Sequence, residues 1–223
     1  MKAFPNGSLR AVTFSYDDAN VADERLVDLF NRYGLRATFN VNSGLSRRAD
    51  RTDLVRPERF AALYAGHEVA SHTLTHPNLV EVDAERARQE LAEDKAFLSE
   101  TVGYEVVGMA YPYGGYNDAI VSLLAEEGFR YSRTTEGTGR FDLPEQPLLW
   151  KPTCHHHTAE ECLDRFLATE PTAPQLLYIW GHSYEFDREQ TWERMEALCA
   201  RIAARDDIWK ATNREVLEAM AGE

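Results

Sequence analysis

Two histidines four residues apart, in Ser71-His72-Thr73-Leu74-Thr75-His76-Pro77, and the adjacent pair Asp17-Asp18 far upstream are the residues here best suited to chemistry. Two imidazoles and one carboxylate form a donor set for a divalent cation of the zinc class, and three protein ligands leave a coordination position open for water. The second carboxylate is then spare to take a proton. Adjacent residues at a strand end point in different directions, so one can face the ion and its neighbour the substrate side. These are the parts of a metal-assisted hydrolase.

The histidine spacing constrains the backbone. On a helix, positions four apart lie about 6 Å from each other; fully extended, they lie about 13 Å apart, too far to share an ion. The segment must therefore turn. Pro77 disfavours helical geometry at His76, so a strand end curling into a loop is expected. A zincin helix would need Glu directly after the first histidine, where this chain has Thr73.

Two further segments carry candidate groups. Tyr111-Pro112-Tyr113-Gly114-Gly115 reads as a tight bend that exposes a backbone N–H able to stabilise an oxyanion. In Trp180-Gly181-His182-Ser183-Tyr184-Glu185, His182 is placed to protonate a departing amine. An ordinary histidine pKa near about 6.5 leaves it mostly neutral at pH 7, so a carboxylate must raise it. Glu185 and Asp187 are the local candidates. The run His155-His156-His157 is read as a solvated loop at the mouth, because three consecutive side chains do not easily converge on one ion.

The elements that must position these groups alternate between apolar runs and amphipathic stretches. Strands are expected at 10–15, 35–41, 68–71, 104–110, 129–133 and 176–180, with 148–153 a weaker seventh. Leu26, Leu29, Phe30 and Tyr33 share a helical face. So do Ala84, Ala87, Leu91 and Leu98 after an Asp83 cap, and Trp192, Met195, Leu198, Cys199 and Ile202 after a start at Asp187 with Gln190. Thr212 with Glu215 has the capping-box spacing ahead of Val216, Leu217 and Met220. Such alternation implies an α/β fold with a mostly parallel sheet wrapped by helices. Asp17-Asp18, His72, the Tyr111 turn and His182 all follow strands, and in a parallel barrel the carboxyl ends of the strands gather on one face.

At 223 residues the chain fits one domain, 1–223. Its net charge of −13 argues against nucleic acid or an anionic membrane surface as a partner. Three cysteines without CxxC spacing suggest neither a disulfide framework nor a cysteine zinc site. The first residues lack the apolar stretch of a secretory signal, so the expected location is cytoplasmic, or extracytoplasmic if a signal has been removed.

With these residues in hand, the chain resembles the polysaccharide deacetylase family (carbohydrate esterase family 4, the NodB-homology domain). The resemblance implies a distorted, incomplete (β/α) barrel of about seven parallel strands and a metal-dependent deacetylase activity. The family's first motif, T-F-D-D-G, is similar to Thr13-Phe14-Ser15-Tyr16-Asp17-Asp18-Ala19, with two residues interposed and Ala19 where Gly is usual. It implies Asp17 as general base and Asp18 as metal ligand. The second, H-[ST]-x-x-H, is matched by His72, Thr73 and His76, implying both histidines as ligands. The third, R-x-P-Y, resembles Ala110-Tyr111-Pro112-Tyr113, implying an oxyanion contact from the Tyr113 amide. A strand ending in histidine resembles 179–182, implying His182 as general acid. Ala110 stands in place of the arginine that orients the base, and Arg133 at the next strand's end is the candidate substitute. The fourth motif's acidic residue ahead of a Trp is reduced to Trp150, with Gln146 and Pro147 before it.

The expected activity is removal of an acetyl or other acyl group from an amino-sugar nitrogen with one divalent ion. Zinc comes first, and cobalt, nickel, manganese or iron are accepted by the same ligands. Two rivals remain: a cytosolic hydrolase of a small amide, formamide or ureide, and a catalytically silent carbohydrate-binding domain. The expected partner is an N-acetylated saccharide or a small N-acyl compound; the oligomeric state is left open.

Overall fold

Residues 2–168 and 170–222 are described by the computed structural model of the chain. Among these residues eight strands are separated by helices and turns: β1 (Arg10–Asp17), β2 (Ala37–Val41), β3 (Glu68–Ser71), β4 (Gly108–Ala110), β5 (Tyr131–Arg133), β6 (Cys154–His155), β7 (Gln175–His182) and β8 (Ile208–Lys210). They form one sheet in the order β5-β4-β3-β2-β1-β7-β6, with β8 alongside the first half of β1. Each strand pair is parallel. The expected distorted, incomplete barrel of parallel strands is what the chain forms.

The sheet curls until its edges nearly meet. Trp150 makes a parallel bridge to Arg133 of β5, its amide donating to Ser132 O at 2.9 Å. Four residues later β6 pairs with β7. The expected strand at 148–153 is therefore displaced: Pro147–Leu149 is a 3-10 turn, Trp150 gives one bridge, and the strand itself is Cys154–His155. A proline cannot donate to a ladder, which keeps the regular pairing beyond it. β8 was not expected, since three residues carry too little periodicity to stand out.

Side chains alternate across β1. Val12, Phe14 and Tyr16 face the helices and join Leu26, Phe30, Met195 and Leu198 in the main apolar core. Thr13, Ser15 and Asp17 lie on the opposite, inner face, with Thr38 and Asn40 of β2 in register beside Ser15 and Asp17. The inner face is buried but polar, so its groups must be hydrogen-bonded. Thr13 Oγ1 donates to Asn213 Oδ1 at 2.8 Å, Asn213 Nδ2 to Tyr178 OH at 2.6 Å, and Thr38 Oγ1 to Glu68 Oε2 at 2.7 Å. Tyr131 OH also donates to Glu68, at 2.8 Å. Gly108 makes room for that tyrosine: a Cβ there would fall 2.0 Å from the Tyr131 ring. Burial outweighs these donors and pushes the Glu68 carboxyl up to about 7.

Helix starts largely follow their local signals. Asp83 accepts from the Arg86 amide at 2.8 Å before the helix Ala84–Val102. Thr212 and Glu215 form a reciprocal capping box before Asn213–Ala221. Asp187 is no cap. It lies inside the short helix Tyr184–Glu189 and accepts from Trp192 Nε1 at 2.7 Å, while the next helix begins at Trp192. None of the helices among the described residues is long and apolar enough to cross a membrane.

Candidate active site

Parallel pairing places the carboxyl ends of β1, β2, β3, β5 and β7 side by side. Asp17 closes β1 opposite Asn40 on one flank and His182 on the other. Its carboxylate is buried. Asn40 Nδ2 donates to Oδ1 at 2.8 Å, and Arg133 Nη2 donates to Oδ2. Burial opposes ionisation here, but the Arg133 guanidinium, with His72 and His182, overrides it and holds the carboxyl down to about 2. Arg133, fully buried, also donates to Thr134 O at 3.1 Å and stacks over Trp180 at 4.4 Å. Arg133 is the register partner of Ala110 on the neighbouring strand and reaches Asp17 from there.

Asp18 and Ala19 have left-handed backbone, φ 79° and 50°, which turns the chain sharply at the end of β1. That conformation favours glycine, which accounts for the usual residue at the position of Ala19. Thr73, His76 and Tyr113 also have positive φ, so five of the six such non-glycine residues among the described residues surround this mouth. Strained backbone persists where surrounding contacts over-determine it. The helix Ala84–Val102 provides them for the histidine loop. Glu90 O accepts from the Leu74 amide at 3.1 Å, and its carboxylate accepts from the Thr75 amide at 2.7 Å. Asp94 accepts from Ser71 Oγ at 2.6 Å and the Ser43 amide at 2.9 Å, although burial pushes its carboxyl up to about 6.

The loop curls as its spacing requires. His72 Nδ1 lies 2.8 Å from Ala110 O, and a carbonyl only accepts, so Nδ1 carries the proton and Nε2 is left with its lone pair. That Nε2 lies 3.1 Å from His76 Nε2, and each is 3.8 Å from Asp18 Oδ1. Tetrahedral ligands at about 2.0–2.1 Å from an ion sit roughly 3.3 Å from one another, so the donor types and spacings fit a zinc-class cation with small adjustments. Burial and the neighbouring His72 lower the His76 pKa to about 4. Asp17 Oδ2, 3.8 Å from His72 Nε2, is adjacent but already bonded by Arg133.

On the opposite wall, His182 Nε2 lies 4.0 Å from Asp18 Oδ2, and its Nδ1 lies 3.4 Å from Glu185 Oε2. Burial lowers the imidazole's pKa, but Glu185, Asp17 and Asp18 outweigh it and raise it above its ordinary value. Of the two carboxylates expected to do this, Glu185 is the one in place. Burial notwithstanding, His155 and His182 hold Glu185 well below the usual carboxylate range. Tyr113 is exposed, its ring 4.7 Å from that of His76, and it lines a shallow groove with Asp18, Asn42, Arg51 and Thr75.

All seven expected site residues therefore stand around one mouth. Asn40 was missed, although the polar alternation Thr38-Phe39-Asn40 beside Ser15-Tyr16-Asp17 signals it. The solvated-loop reading of His155–His157 is corrected. His155 ends β6, and the chain passes at once into a 3-10 turn, His156–Thr158, which breaks strand alternation and gathers the rings. His156 is buried, and burial pushes its pKa down to about 3; His155 Nε2 lies 3.2 Å from Glu185 Oε2.

A family model described as polysaccharide deacetylase matches residues 5–132. A chitooligosaccharide deacetylase of Rhizobium leguminosarum bv. trifolii is 33% identical over 106 residues, 48% of this chain and 46% of that protein. The peptidoglycan-N-acetylmuramic acid deacetylase PdaC of Bacillus subtilis (strain 168) is 27% identical over 120 residues, 54% of this chain and 24% of that one. The matches thus span about half the length of these relatives or less. A Mycobacterium smegmatis structure described as a candidate polysaccharide deacetylase superposes with a TM-score of 0.72 at 20% identity, covering 99% of this chain and 93% of the other.

Proposed function

Because the chain belongs to the polysaccharide deacetylase family, we propose that it hydrolyses the acetyl (acyl) amide of an amino sugar or saccharide, using one divalent cation held by Asp18, His72 and His76. The reading takes residues 1–223 as one catalytic unit. The observation that carries it is the meeting of these three donors beside an uncoordinated, arginine-held Asp17, with His182 across the same mouth.

A divalent cation there would acidify a nearby water and polarise the acyl carbonyl, which a carboxylate held at about 2 needs in order to act as a base. Asp17 then takes the proton as the water oxygen bonds to the acyl carbon. Asn40 and Arg133 keep the carboxylate oriented and anionic until that moment. The Tyr113 amide, at a strand-end turn, donates to the developing oxyanion. His182, charged by virtue of Glu185 behind Nδ1, gives a proton from Nε2 to the amine nitrogen as the C–N bond breaks. Acetate and a free amino sugar result.

The test pairs elemental analysis with acetate release over N-acetylated saccharide oligomers and small N-acyl compounds. Asp17→Asn should keep the cation while turnover falls by about 10²-fold or more; His72→Ala should lose both. Near-normal rates in Asp17→Asn would show that the base is elsewhere. Turnover confined to small compounds would reject the saccharide.

A further inference from the structure

The second cluster of metal-ligating side chains shares no residue with Asp18, His72 and His76. His155, His156, His157 and Glu185 each offer a ligand atom, and these four atoms all lie within 4.8 Å of one another. The ring centroids of the three histidines are 4.3–4.6 Å apart. We propose that these four residues form a second cation site, selective for a transition ion of the zinc, cobalt, nickel or copper class. Three imidazoles with one carboxylate match those ions and not calcium or magnesium, which take oxygen ligands.

Distances support the assignment. Glu185 Oε2 lies 3.2 Å from His155 Nε2 and 3.5 Å from His156 Nε2, close to the roughly 3.3 Å edge of a tetrahedral site with bonds of about 2.0–2.1 Å. His156 is the strongest pointer. Its ring is buried, its centroid 6.0 Å from that of Tyr16 and 4.4 Å from that of Phe186, yet neither ring nitrogen has a hydrogen-bond partner. A buried imidazole left so is unusual and calls for a ligand. Gly181 fixes its position, since a Cβ there would fall 2.1 Å from His156 Nδ1. His157 lies on the rim, 2.9 Å from Glu189, with one ligand atom within 4.8 Å of the other three donors. The site adjoins the proposed active site through His182, which lies 3.4 Å from Glu185.

The experiment is a Zn(II) titration of tag-free, metal-stripped protein by calorimetry, with Co(II) absorbance as a geometric readout. The wild-type chain should take up about two equivalents, and His72→Ala and His155→Gln about one each. The double variant should take up none. Co(II) bound to His72→Ala should give tetrahedral visible bands that Glu185→Gln abolishes. His155 is less buried than Glu185, so its variant carries the test if Glu185→Gln fails to fold, with circular dichroism as the check. No binding by His72→Ala, or a stoichiometry in His155→Gln equal to that of the wild type, would overturn the proposal.

Discussion

Replacing Arg133 by methionine tests the electrostatic centre of the site. The guanidinium is fully buried, donates to Asp17 and lies over Trp180. Methionine fills much of the same volume without the charge, leaving a buried carboxylate with Asn40 as its remaining side-chain donor. The carboxyl is held from 3.8 down to about 2 in the native protein. At roughly 1.36 kcal/mol per pH unit, that difference corresponds to roughly 2–3 kcal/mol of stability at neutral pH. Direct mutational experience with broken buried pairs, about 3–5 kcal/mol, is of the same order. The sign is fixed by linkage. A folded pKa below the unfolded one contributes stability that is present above about pH 4 and lost as pH falls towards 2. Urea unfolding at pH 7 should therefore show Arg133→Met destabilised by about 3 kcal/mol. In Arg133→Met/Asp17→Asn, which removes the stranded charge, part of that loss should return. The acidic limb of the rate profile should also move upward in Arg133→Met, as Asp17 becomes easier to protonate. A loss under about 0.5 kcal/mol, with the two substitutions strictly additive, would refute the pairing as the reason Asp17 stays ionised.

Glu68 gives the opposite sign: with its folded pKa raised from 4.5 to about 7, stability present below about pH 4.5 is lost as pH rises through 7. Denaturant unfolding should show about 3 kcal/mol of that decline in the wild type and little in Glu68→Gln; equal slopes would exclude Glu68 as its source. Glu90→Ala removes the carboxylate that holds the Thr75 amide, so cation affinity measured by competitive chelation should weaken about 10–100-fold. An unchanged affinity would mean that the histidine loop holds its shape alone. Gly181→Ala sets a methyl against His156, and β7 is paired on both flanks and cannot yield easily. A thermal melt should register a loss of about 1–3 kcal/mol, typical of overpacking; a wild-type melting temperature would show that His156 moves aside freely.

Local signals made much of this legible. The His72–His76 spacing with Pro77 required a curled loop, and the apolar runs ending at Ser15, Ser71, Ala110 and Trp180 placed the reactive groups at strand ends. Those inferences hold because strand period, proline geometry and ligand reach act over a few residues. Arg133 could be named as a partner for Asp17 because the family resemblance implies an arginine where Ala110 stands, and Arg133 ends the next strand. What lay beyond the sequence depended on contacts between distant segments. The inward polar row of Thr13, Ser15, Thr38, Asn40 and Glu68 becomes a network only once β1, β2 and β3 are in register. Consecutive side chains do not easily converge on one ion, so the three histidines read as a solvated loop; a 3-10 turn packed against Gly181 and Glu185 gathers them instead. Choosing Glu185 over Asp187 as the partner of His182 likewise rested on where Trp192 packs. The chain by itself determined which groups could react and at which strand ends they stand. Tertiary packing alone decided which charges meet, because Coulomb and hydrogen-bond energies depend on distances of a few ångströms between residues on separate strands and loops.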